Sequence, residues 1–71
     1  MRYLNVITED TDESYKLSEI VNIVCDYAQN VLSETDIRGN GLKPLEMITM
    51  ISFKNGNVET YRTAGIEMTF I

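Results

Sequence analysis

Four carboxylates close to the start of the chain, Glu9, Asp10, Asp12 and Glu13, form its densest group of potential ligands. Carboxylates of this kind bind calcium, but the segment lacks the glycine at the sharp turn and the distant bidentate glutamate of an EF-hand loop. We therefore interpret the segment as a solvated loop beside a helix. A third interpretation, besides a solvated loop and a calcium site, is an acidic docking patch for a basic protein surface.

A second candidate is the segment from Arg38 to Lys43, in which Gly39 and Gly41 are flanked by two cations. Glycine-rich loops can present backbone N–H groups to an anion. The Gly-Lys-Ser/Thr ending of a phosphate-binding loop is missing, and the glycines are also explained by the end of a helix and a turn. An anionic ligand such as a nucleotide or phosphate is the best small-molecule hypothesis for this chain.

Catalysis is not indicated by the remaining reactive side chains. The chain has no histidine, and its single cysteine, Cys25, has no base beside it in sequence to lower the pKa of the thiol. We interpret Cys25 as a small buried side chain. Glu46, Glu59 and Glu67 are explained by the solvent faces of strands. We therefore predict no enzyme, no catalytic residue, no metal and no cofactor.

The length of 71 residues predicts a single domain, residues 1–71, whose own core is marginal. Domains of this size usually gain stability from disulfides, a metal or a partner subunit. One cysteine and no histidine exclude an internal disulfide and a typical zinc site. Self-association or docking on another protein remains, so we expect a homo-oligomer or a protein-binding module.

The net charge of −5 is concentrated in the first half of the chain. Residues 1–36 contain eight acidic residues and two basic ones, whereas residues 37–71 contain three acidic and four basic ones. An acidic chain is poorly suited to direct nucleic-acid binding, which needs clustered Lys and Arg. The short apolar run near the start does not resemble a signal peptide, and no run is long enough to span a membrane. These features predict a cytoplasmic protein.

The clearest predicted element is a helix that begins at Ser14 or Ser18, either of which could cap it, and ends near Glu34. At 100° per residue one arc of this segment is apolar, and the opposite arc is polar. The apolar arc consists of Leu17, Ile20, Val21, Val24, Ala28, Val31 and Leu32. Ile23 and Tyr27 widen this arc beyond what packing on one sheet requires.

Strands are predicted on both sides of this helix. Residues 3–8 are rich in β-branched and aromatic side chains, and residues 45–53 form the strongest strand. Asn55-Gly56 favours a two-residue hairpin turn that pairs Phe53 with Val58. Ala64-Gly65 indicates a turn or bulge before a last segment, residues 66–71.

The predicted fold is a small two-layer α+β domain of order β-α-β-β(-β), with one helix on a three- to four-stranded, mainly antiparallel sheet. Both faces of the strand at residues 45–53 are bulky, although one helix covers only one face. We therefore predict a non-catalytic module, an accessory protein or inhibitor that docks on a larger protein. The predicted interface consists of Ile23, Tyr27, Met68, Phe70 and Ile71.

Overall fold

Strands dominate the computed structural model, which describes residues 2–71. It contains two short helices, a 3-10 turn at Leu17–Glu19, and six strands. The elements are β1 (Tyr3–Ile7), β2 (Asp12–Lys16), β3 (Ile20–Tyr27), α1 (Ala28–Val31), α2 (Glu34–Gly39), β4 (Met47–Phe53), β5 (Val58–Arg62) and β6 (Glu67–Phe70).

The strands form two antiparallel sheets of three strands each, with the orders β2-β1-β6 and β3-β4-β5. The 3-10 turn leads from β2 in the first sheet to β3 in the second. A turn at Gly65, where φ is +83°, precedes β6 in the first sheet. Each sheet therefore has one central strand, β1 or β4, and two edge strands.

The two sheets pack face to face around Leu4, Val6 and Ile51, which are fully buried. Leu4 and Val6 alternate along β1, as expected for a strand with one face on a core. Aromatic side chains surround this centre, and the rings of Tyr15 and Phe53 lie 5.1 Å apart between centroids. This inter-sheet core covers the face of β4 that carries Ile51.

The two helices cover the other face of β4. Buried Ile48 packs there with Ala28 from α1 and Ile37 from α2. Ser33 caps α2, because its hydroxyl accepts a hydrogen bond from the Asp36 N–H at 3.1 Å. The bulk on both faces of β4 is thus explained by a sheet on one side and helices on the other.

The predicted single helix on a three- to four-stranded sheet is wrong. The segment predicted as one helix ending near Glu34 forms β2's end, the 3-10 turn, β3, α1 and the start of α2. Ser14 lies in β2 and Ser18 in the 3-10 turn, so neither caps an α-helix. Four of the five residues from 20 to 24 are β-branched, which favours an extended backbone. These residues form a strand because β4 lies beside them, and a local sequence pattern does not reveal a partner that distant in the chain.

The hairpin after β4 forms at the predicted place but in a different register. Val58 pairs with Ser52 instead of Phe53. The N–H of Gly56 donates to the Phe53 carbonyl at 3.0 Å, and the N–H of Phe53 donates to the Asn57 carbonyl at 2.9 Å. These bonds close a three-residue loop with Gly56 at φ +90°, which is a common hairpin geometry. The extra loop residue shifts the register by one and reverses the faces of β5.

None of the helices in residues 2–71 is long and apolar enough to cross a membrane.

Candidate functional site

Strand β3 is the most unusual of the four edge strands. Among residues 2–71 it is the longest strand, at eight residues, and β4 is the only strand that pairs with it. Its apolar side chains are unusually exposed for a strand: Val21 by 61%, Ile23 and Val24 by 37%, and Tyr27 by 44%. Long, apolar edge strands are templates for pairing with a further strand. We call β3 with its free side the β3 edge.

The main-chain groups of β3 alternate between β4 and the free side. Beyond the end of the β3–β4 ladder, and in the same register, the Ala28 N–H donates to the Glu46 carbonyl at 2.9 Å. Hydrogen-bonded and non-hydrogen-bonded pairs alternate in antiparallel ladders. Asn22, Val24 and Asp26 therefore direct their main-chain groups toward β4. The N–H and C=O groups of Ile23 and Cys25 consequently point to the free side.

Hydrogen bonds at the two ends of the β4–β5 ladder support this alternation independently. The Phe53 N–H donates to the Asn57 carbonyl, and the Thr63 N–H donates to the Met47 carbonyl at 3.1 Å. Odd-numbered residues of β4 therefore bond toward β5, which leaves its even-numbered residues to bond toward β3.

Both ends of the β3 edge are closed to further pairing. A register shift between Ile20 and Asn22 leaves Val21 as a bulge, which disrupts the ladder locally. At the other end, the Asp26 carboxylate accepts from the Tyr27 N–H at 2.6 Å and from the Asn30 amide at 3.0 Å. The Asn30 hydrogen bond, followed by that of Tyr27, lowers the pKa of Asp26. The available segment is therefore residues 22–26.

The predicted interface residues lie in two different sheets. Ile23 and Tyr27 are exposed on strand β3 and not on the predicted helix. Phe70 and Ile71 are about half exposed at the end of edge strand β6, whereas Met68 packs against the inter-sheet core.

The predicted acidic patch lies at the hairpin between β1 and β2. Glu9 and Asp10 are exposed in the turn, where the Thr8 hydroxyl accepts from the N–H groups of Asp10 and Thr11. Asp12 and Glu13 belong to β2 and not to a loop. The Glu13 carboxylate accepts hydrogen bonds from the hydroxyls of two tyrosines, so it has a role inside the protein.

The two tyrosines are Tyr15 on β2 and Tyr61 on β5, whose hydroxyl oxygens lie 2.6 Å apart. This contact joins the edges of the two sheets. Burial, reinforced by the hydrogen bond to Glu13, strongly raises the pKa of Tyr15. Burial also raises the pKa of Tyr61, although its hydrogen bond with Tyr15 acts in the opposite direction. Both phenols therefore stay protonated at neutral pH and act as structural hydrogen-bonding groups.

The predicted anion-binding segment is divided between α2 and the loop after it. Arg38 forms an ion pair with Glu34 at 3.2 Å on the exposed side of α2, and Gly39 ends that helix. Gly41, at φ +64°, uses its carbonyl to accept from the Arg62 guanidinium. Lys43 is exposed in the following loop. The segment is thus held by contacts within the protein.

A pocket lined by two cations lies elsewhere, where the start of β1 meets the end of β2. Arg2 and Lys16 line an open cavity of about 350 Å³ together with Tyr3, Leu17 and Ser18. The Leu17 N–H donates to the Arg2 carbonyl at 2.9 Å and fixes this corner. Sequence reasoning missed the pocket because Arg2 and Lys16 are fourteen positions apart. Only the β1–β2 register, which pairs Tyr3 with Lys16, signals their proximity.

Cys25 is exposed on β3, so its interpretation as a buried side chain is wrong. Its thiol lies 3.6 Å from the Thr63 hydroxyl. Among residues 2–71 no group of three or more potential ligands is arranged to hold a metal ion.

No model of a known protein family, no curated protein and no solved structure matches this chain.

Proposed function

We propose that this protein is a non-catalytic binding module that accepts an additional β-strand from another polypeptide along the β3 edge. The observation that carries the proposal is an eight-residue edge strand with exposed apolar side chains and outward-facing main-chain groups at Ile23 and Cys25. Strand addition uses such main-chain groups for affinity and alternate side chains for specificity.

The wider role that we propose is that of a cytoplasmic accessory protein or inhibitor that docks on a larger protein. Glu9, Asp10 and Asp12 are exposed at the β1–β2 hairpin, where they would steer association with a basic surface. Glu13 contributes less, because its carboxylate is engaged by Tyr15 and Tyr61.

A peptide-display selection tests the proposed strand addition. Random peptides of about ten residues, long enough to pair with a whole strand, are selected against the protein. We expect enriched peptides with alternating β-branched residues, whose binding is lost in Val24→Lys. The matched control is Val58→Lys on edge strand β5, where the wild-type side chain is 48% exposed. Selected peptides that bind Val24→Lys as well as wild type would show that β3 is not the binding element.

A second candidate function, the binding of a small anion, is favoured by the pocket lined by Arg2 and Lys16. Inorganic phosphate, pyrophosphate and nucleotides are the probes, and thermal stabilisation is the readout. We expect stabilisation to be lost in the double variant Arg2→Ala/Lys16→Ala and retained in Arg38→Ala/Lys43→Ala. The reverse result would assign the anion to the segment from Arg38 to Lys43, and no stabilisation by any probe would exclude both sites.

A further inference from the structure

The segment of β3 that is free to pair has a defined midpoint. The bulge at Val21 limits it on one side, and the hydrogen bond from the Tyr27 N–H to Asp26 limits it on the other. Residues 22–26 remain, and Val24 is their centre. A strand with a defined centre is suited to pairing with a copy of itself around a two-fold axis.

We propose that the strand added to β3 is β3 of a second copy of this chain, antiparallel and with Val24 on the two-fold axis. This inference rests on the proposed function and names its partner. A two-fold axis perpendicular to the sheet reverses the strand direction and keeps each face on its own side. The two β3-β4-β5 sheets then join into one continuous six-stranded sheet.

This register makes the main-chain groups complementary. Ile23 of each copy lies opposite Cys25 of the other, and these are the residues whose N–H and C=O groups point to the free side. Each such pair exchanges both of its hydrogen bonds, and the two-fold axis repeats the pair. Val24 then faces its own copy as a non-hydrogen-bonded pair, in which side chains approach most closely.

The side chains are also complementary in this register. Asn22 lies opposite Asp26 of the other copy, so an amide donor faces a carboxylate acceptor. Asp26 is the only charged residue in β3, and it lies off the centre, so no two like charges meet directly. An unrelated peptide would not require this self-complementary order of residues, which is why we assign the site to a second copy.

Two paired cysteine variants test the register. In a Cys25→Ser background, Val24→Cys places two thiols across the axis at a Cα separation of about 4.5 Å, within the range that disulfides require. Asn22→Cys in the same background is the control, because its two thiols would lie roughly 13 Å apart along the strands. We expect rapid oxidation to a disulfide-linked dimer for Val24→Cys and only slow, collisional oxidation for Asn22→Cys.

Light scattering across a concentration series tests the association itself. We expect a monomer–dimer equilibrium whose association constant falls at least about tenfold in Val24→Lys, because two lysines would face each other across the axis. Val58→Lys should associate like wild type. Circular dichroism and thermal unfolding of both variants establish that they are folded.

Three outcomes would overturn the dimer: a strictly monomeric protein up to about 1 mM, equal oxidation of the two cysteine variants, or unchanged association in Val24→Lys. If the protein is monomeric but selected peptides still depend on Val24, the partner is another polypeptide and the proposed function survives. If neither a second copy nor any peptide binds at β3, the proposed function fails as well.

Discussion

The β3 edge and the edge formed by β2 differ in how readily a further strand can pair with them. β2 is five residues long and contains Asp12, Glu13 and Lys16, whereas β3 is eight residues long and contains only Asp26. Charges on an edge strand discourage pairing with other chains, and an apolar edge without them invites it. The protein therefore protects one edge and leaves the other open.

The edge formed by β5 resembles that of β2. It contains Glu59 and Arg62, and the Arg62 guanidinium is paired with Glu46 at 3.1 Å. β2 and β5 are also joined to each other through the hydroxyls of Tyr15 and Tyr61. Protection is thus a shared feature of these two edges, which makes the low charge of β3, where Asp26 is the one charged residue, informative about binding.

The largest expected effect comes from removing the protection of β2. Asp12→Thr combined with Lys16→Thr keeps the net charge, adds two β-branched residues to the strand, and leaves Glu13, which the Tyr15 hydroxyl engages, as its one charge. Two open edges per chain allow growth beyond a single pairing, so we expect species much larger than those of the wild type in light scattering. Ser14→Thr, which leaves the charges in place, is the control. Unchanged molar mass in the double variant would mean that these charges do not protect the edge.

The next largest effect is the difference in lost unfolding free energy between a substitution at the centre of the second sheet and one at its edge. Ile51 is fully buried between the sheets, so Ile51→Ala should reduce the free energy of unfolding by about 2–4 kcal/mol. Val24 is partly exposed on β3, and Val24→Ala should cost less than about 1 kcal/mol in dilute protein. Urea unfolding measures both. Equal losses would show that β3 is packed as tightly as β4.

A smaller effect concerns the contact that joins the protected edges. The pKa values of Tyr15 and Tyr61 are raised in the folded state, above the usual value of about 10. Their contribution to stability is therefore fully present below pH 10 and is lost as the pH rises further, since the unfolded tyrosines ionise first. Unfolding at a series of alkaline pH values should show a shallower decline for Tyr15→Phe. If stability declined with pH equally steeply in the wild type and in Tyr15→Phe, Tyr15 would be excluded as a source of the alkaline loss of stability.

The smallest effect is a pattern of amide exchange along β3. In dilute protein the N–H groups of Ile23 and Cys25 point to the free side and should exchange faster than that of Val24, which faces β4. Hydrogen exchange followed by NMR measures this alternation, and rising protein concentration should slow exchange at Ile23 and Cys25. Uniform exchange along the strand would contradict the assigned direction of the main-chain groups.

The sequence by itself determined the local features of the fold. A β-branched run predicted β1, Asn55-Gly56 predicted the hairpin, and Ala64-Gly65 predicted the turn before the last strand. These predictions succeed because the determining residues are neighbours: alternation, positive φ and turn chemistry act within a few positions. Ile23 and Tyr27 were predicted as interface residues on a helix, whereas they lie exposed on strand β3, and their role in an interface stays a prediction.

Only the tertiary structure decided the state of residues 17–34. Leu17, Ile20, Val21 and Val24 fit a helical period. In the structure Ile20 pairs with Phe53 and Val24 with Met50, so the partner strand β4 lies about 25 to 35 positions later in the chain. Long-range pairing overrides local periodicity, because a strand's hydrogen bonds and its packing come from residues distant in sequence. The same reason explains why the open β3 edge and the basic corner at Arg2 and Lys16 could not be read from the chain alone.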